Sequence, residues 1–123
     1  MNFVETVVQQ GQNVLNSMKD LKKAAKVKGE KRGAFIERFT ANQHSFNVYT
    51  YADEVIKNSK EVSVFKEKLD LLNQEFDHAR FDFEGEVNVV KVNSLYDEVL
   101  HAYNDMVTAL GYEKDAVNLK KFK

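Results

Sequence analysis

A chain of 123 residues has the size of one domain, and its 43% hydrophobic against 30% charged side chains suffices for a buried core, which excludes a disordered tail. The absence of cysteine excludes disulfides and thiolate metal sites, and apolar runs of a few residues are far too short for a membrane-spanning helix. With a net charge of −1, no global field draws the chain to nucleic acid or anionic lipid.

The sequence contains no proline, the residue that punctuates loops and edge strands and that long helices leave out, so an all-α chain is expected over a single domain, 1–123. The first apolar stripe is Phe3, Val7, Val14, Leu15, Met18, Leu21 and Ala25, at the spacing of one helical face, which predicts a helix from about 2 to 27. Lys22, Lys23, Lys26 and Lys28 crowd its end, where cations oppose the helix dipole, and Gly29 and Gly33 bracket a turn. A second helix is predicted over 34–57, with a broad aromatic stripe of Phe35, Ile36, Phe39, Phe46, Tyr49, Ala52, Val55 and Ile56. Asn58 with Glu61 three residues on has the pattern of a capping box and opens the third helix. The third stripe, Val62, Phe65, Leu69, Leu72, Phe76, Ala79, Phe83, Val87 and Val90, steps by three or four throughout, with Gly85 marking a bend or an early stop at about 84–88. Ser94 with Asp97 predicts the N-terminus of a fourth helix, whose Leu95, Val99, Tyr103, Met106, Val107 and Leu110 lead to Gly111. The tail beyond it either packs back on the bundle as a short amphipathic turn or frays. The architecture implied is an antiparallel bundle of about four helices.

Charge is unevenly spread along the chain. Lys19, Lys22, Lys23, Lys26, Lys28, Lys31 and Arg32 face only Asp20 and Glu30, whereas from Asp53 to Glu98 twelve carboxylates outnumber six basic side chains, so a molecule polar from end to end is expected. The basic segment is a solvated helix end. Phosphates or acidic lipid headgroups would meet Lys22, Lys23, Lys26 and Lys28 only through weak, nonspecific contact, and no specific nucleic-acid partner is expected. His44, among Asn42, Gln43 and Ser45, reads as a surface or polar-contact residue.

Two Glu-x-x-His sequences, Glu75 to His78 and Glu98 to His101, fall on the predicted third and fourth helices. Carboxylate-bridged di-metal bundles use this spacing because residues i and i+3 present two ligands from one face, with further glutamates, here Glu5, Glu37 or Glu54, from the other helices. A turn near residue 93 would set Glu75 about 27 Å from it and Glu98 about 8 Å, so the pairs would meet only if the turn moved to about residue 88. A noncatalytic protein without cofactor is therefore the first reading, and a di-metal bundle the alternative. Tyr51 and Phe81 fall off the main stripes; if exposed, they mark a face for another protein or a second copy, because aromatics concentrate at interface centres.

Short stretches of the chain resemble the bacterial LemA family. Ala79-Arg80-x-x-Phe83-x-x-x-Val87 is similar to its Ala-Arg-x-x-Tyr-Asn-x-x-Val, Asn2-Phe3-Val4-Glu5-Thr6-Val7 to its Asn-Leu-Val-Glu-Thr-Val, and Leu110-Gly111-Tyr112-x-Lys114-x-Ala116 to its Phe-Gly-Phe-Lys-Lys-Ala. Ile56-Lys57, Phe65 and Leu69 fall where the family has a Leu-Lys pair and spaced apolar residues. The chain lacks the family's N-terminal membrane helix and its Tyr-Pro, and Glu84 stands in place of asparagine. The resemblance implies a helical bundle without established catalytic residues. The start of the chain has neither the basic opening nor the apolar stretch of a secretory signal, so a cytoplasmic location is expected.

Overall fold

The computed structural model describes residues 2–77 and 85–119. Its helices are α1 (Phe3–Ala24), α2 (Glu30–Tyr51), α3 (Glu54–Lys57), α4 (Lys60–Gln74) and α5 (Val89–Ala109), and a 3-10 turn follows at Glu113–Asp115. No strand occurs among the described residues, and the β-branched run from Val87 to Val92 opens α5 instead.

Helix α1 starts where the Asn2 side chain accepts from the Glu5 N–H at 2.9 Å, relieving one of the free donors of a first turn. Its apolar stripe is buried as the pattern predicts: Val7, Val14, Met18 and Leu21 are all fully covered. Gly11 is buried where α1 faces α5, and a Cβ there would make ordinary contact, 3.4 Å from Met106 and from Tyr103. Gly29, at φ 80°, carries the chain into α2, which begins at Glu30, a turn earlier than the expected Ala34, with Gly33 buried in its first turn.

The expected continuous helix over 34–57 is broken after Tyr51. Asp53 is extended, and its carboxylate accepts from the N–H groups of Val55 at 2.9 Å and Ile56 at 3.1 Å, starting a separate α3. A capping aspartate thus does what no glycine or proline marks here. Asn58 closes α3, and the cap of α4 is Ser59, one residue later than the expected Asn58.

The stripe of α4 is buried at Val62, Phe65, Leu69 and Leu72, but the helix ends at Gln74, well short of Val90. Its last turn tightens as the Glu75 and Phe76 N–H groups bond the Leu72 and Asn73 carbonyls three residues back. Phe76 and Val87 remain buried beyond it, so the stripe read burial correctly where the backbone has left the helix. Val90 is 80% exposed, and Gly85 lies in the connection, not within a helix. Ala79 and Phe83 lie outside the described residues. Helix α5 is capped by Asn88, which accepts from the Lys91 N–H at 3.0 Å, and not by Ser94, which is exposed inside the helix.

Contacts fix the topology. Arg38 pairs with Asp20 at 3.5 Å and the Phe3 and Tyr49 rings lie 6.5 Å apart, so α1 and α2 run antiparallel. Lys68–Glu98 at 2.9 Å and Lys91–Glu75 at 2.8 Å set α4 against α5 in the same way. Gln43 bonds Asp70 and Asn73 across α2 and α4, and Lys22 of α1 lies 4.5 Å from the Tyr96 ring of α5. The four long helices therefore alternate in direction, giving an antiparallel bundle with α3 as a short corner. Its buried side chains form one apolar cluster, in which Phe65 packs edge-on to Phe46 at 5.1 Å and to Tyr103 at 5.9 Å.

After α5, Gly111 at φ 83° permits a C-terminal closure in which the Tyr112 N–H bonds the Val107 carbonyl at 2.7 Å. The tail then packs back. Asn104 accepts from the Val117 N–H and donates to its carbonyl, at 2.9 and 3.2 Å, and the Tyr103 hydroxyl donates to the Asp115 carbonyl. No helix among the described residues is long and apolar enough to cross a membrane.

Candidate functional site

Most of the exposed large apolar side chains among the described residues lie around the break at Asp53. Ile56 is 2% exposed and anchors α3, which leaves its neighbour Val55 facing outward at 81%, beside Tyr51 at 62% and Val48 at 54%. Of these, Val55 belongs to the stripe expected inside, as does Tyr49, which is 38% exposed, whereas Tyr51 falls off the main stripe and is exposed as its position allows.

Two lysines converge on the Tyr51 ring, Lys66 at 4.1 Å and Lys57 at 5.5 Å from its centre. The Lys66 ammonium also donates to Thr50 Oγ1 at 3.1 Å. Partial burial, reinforced by the nearby Lys57, holds the Lys66 pKa below its ordinary value, against the opposing pull of Asp70. Tyr51, Lys57, Asn58, Lys66, Glu67 and Asp70 line a shallow cleft of about 380 Å³. Two cations thus stand against one exposed aromatic ring, and exposed Val48 precedes it by one helical turn on α2. Phe81, the companion of Tyr51 in the sequence reading, lies outside the described residues.

The basic segment does not gather into one patch. Lys22 leans over Tyr96 on α5, Lys23 lies 5.9 Å from the Phe35 ring on α2, and Lys28 pairs with Glu86 at 3.2 Å. Lys26 is exposed. Arg32 is not a surface cation at all: it is 2% exposed, and its Nε donates to the carbonyls of Ala24 at 2.9 Å and Val27 at 2.7 Å, while Nη1 donates to the Gly85 carbonyl. It binds the last carbonyl of α1 and one in the turn that follows, and ties the connection after α4 to them. Nothing in its sequence surroundings, a run of lysines, separates it from them. The expected end-to-end polarity is also lost, because the acidic segment runs along α4 and α5 from one end of the bundle to the other and returns to the basic segment at Lys28–Glu86.

The two Glu-x-x-His sequences are parted by register. Glu75 sits at the C-terminal cap of α4 and pairs with Lys91, whereas Glu98 pairs with Lys68, so their levels differ by seven residues of helix, about 10 Å. His101 and His44 are exposed, and His78 lies outside the described residues. No group of three His, Asp or Glu side chains suited to a metal ion occurs among the described residues.

The stretches at the two ends of the chain that resemble LemA proteins meet in space. Asn2 Nδ2 donates to the Tyr112 hydroxyl at 3.0 Å, and that hydroxyl donates to Glu5 Oε1 at 3.3 Å. Comparison of the chain with protein-family models, curated proteins and solved structures returns no match.

Proposed function

We propose that the chain is a noncatalytic helical bundle, of the LemA type its motifs resemble, that acts in the cytoplasm by holding another protein at the Tyr51 corner. The observation that carries this reading is the joint exposure of Tyr51, Val55 and Val48 at 62%, 81% and 54% beside two lysines. Leaving large apolar side chains in water forgoes their burial, and aromatic residues concentrate at interface centres.

The test is site-specific photocrosslinking in cells, with a benzophenone amino acid in place of Tyr51 or Val55 and, as control, in place of His44, which is exposed on the same helix α2. A defined adduct at Tyr51 and Val55 but not at His44, lost on Val48→Ser, supports the reading. Equal adducts at all three positions, or none, refute it. An adduct whose mass is that of a second copy assigns the corner to self-association.

A further inference from the structure

Helices α4 and α5 are laced along their outer seam by rungs seven residues apart on each helix. Glu75 meets Lys91 at 2.8 Å, and Lys68 meets Glu98 at 2.9 Å. Seven residues further along both helices stand Glu61 and Asp105, which line one groove of about 480 Å³. Each of the first two rungs joins opposite charges, as flanking positions of paired helices commonly do. The third places two carboxylates across the seam. Ser59 Oγ donates to Glu61 Oε2 at 3.3 Å and steadies it, while Asp105 is exposed and makes no hydrogen bond or ion pair among the described residues. Lys60 lines the rim and pairs with neither carboxylate.

The same groove is lined by Val64, Ala102 and Ala109, of which Ala102 is buried. Two alanines on α5 leave room where larger side chains would close the seam. A lining of this kind accepts the methylene stem of a long cationic side chain, and the carboxylates accept its charged head. The volume lies in the range of sites that take up a ligand-sized group.

We propose that this groove docks a basic helical segment of a partner protein, one of whose lysines or arginines enters the seam and completes the third rung. Charge complementarity selects the occupant: the ladder lacks one cation at this level, and a helix laid along the seam supplies it with apolar contacts on the alanines. The site is independent of the Tyr51 corner. It lies on the flank of α4 that carries Glu61 and Val64, whereas the corner uses the flank that carries Ser63, Lys66 and Asp70.

The experiment uses the full chain and a fluorescein-labelled peptide of about four helical turns, built from alanine and lysine so that lysines recur on one face. Fluorescence anisotropy at low salt is expected to show saturable binding, with no binding of the matching alanine–glutamate peptide. Asp105→Lys builds the rung within the chain, so it should raise the melting temperature and weaken peptide binding by roughly tenfold or more. Asp105→Asn, checked for native helicity, should weaken it less, and Lys57→Ala, in the other cleft, should leave it unchanged. Equal binding by the native chain and Asp105→Lys overturns the proposal, as does absence of binding. Sedimentation showing that the native chain dimerises through this groove overturns it in favour of a second copy, and calcium binding abolished by Asp105→Asn overturns it in favour of a cation site. The crosslinking outcome at Tyr51 is separate, so either site can fail alone.

Discussion

Replacing Arg32 by methionine keeps much of the buried volume and removes every donor. Three carbonyls then lose their partner: that of Ala24 at the end of α1, that of Val27 in the turn that follows it, and that of Gly85 in the connection that follows α4. The bond to Ala24 is buried and the other two are partly buried, so water reaches the latter more easily. Stranding one buried carbonyl costs about 1–3 kcal/mol and a partly wetted one less, while releasing a buried guanidinium returns some of the loss. The expected destabilisation is therefore about 2–4 kcal/mol, or a fall in melting temperature on the order of 10 °C for a domain of this size. Arg32→Lys should lie between, because an ammonium lacks the planar fork that serves both sides of the turn. Urea unfolding followed by circular dichroism gives the stability difference, and amide exchange at Glu86 and Val87 reports the freed connection. If Arg32→Met lies within about 0.5 kcal/mol of the native protein, the size of an ordinary surface substitution, the reasoning is refuted and the arginine does not hold these segments together.

Leu72→Ala or Phe76→Ala should each cost about 2–5 kcal/mol in denaturant unfolding, since both side chains are fully buried in the apolar cluster; losses under about 1 kcal/mol for both would mean the site collapses around the cavity. Burial, with a smaller contribution from Asp97, pushes the Tyr96 phenol up to about 12, so the fold favours its neutral form and stability should decline as pH rises from about 10 through 12. Tyr96→Phe should flatten that alkaline limb, and an unchanged limb would place the loss elsewhere. Any binding of anionic vesicles through Lys22, Lys23, Lys26 and Lys28 should fade with added salt, and binding that survives high salt would contradict a purely electrostatic contact. Elemental analysis after expression in metal-supplemented medium should find no stoichiometric iron, manganese or zinc; two metals per chain, lost together in Glu75→Ala and His101→Ala, would install the di-metal alternative.

Much of the fold is legible in the amino-acid order because helix burial is a local, periodic property. The absence of proline, the stripe from Val62 to Phe76 and the stripe from Leu95 to Val107 identify buried faces that need no knowledge of what covers them. Helix ends are less legible, since they depend on which of several capable side chains takes the backbone N–H. Asp53 starts α3, and Ser59 and Asn88 take the caps that Asn58 and Ser94 also suited. The candidate sites needed tertiary structure for a different reason. Tyr51 stands apart from the stripe in the amino-acid order, but Val55 shares the residue type of the core positions around it and is exposed because α2 breaks and its continuation turns aside at a corner. Arg32 is chemically one more cation in a basic run until the turn between α1 and α2 closes around its guanidinium. The pairing of Glu61 with Asp105 exists only once the connection between α4 and α5 sets their register, because residues far apart in sequence acquire a shared electrostatic environment through packing alone.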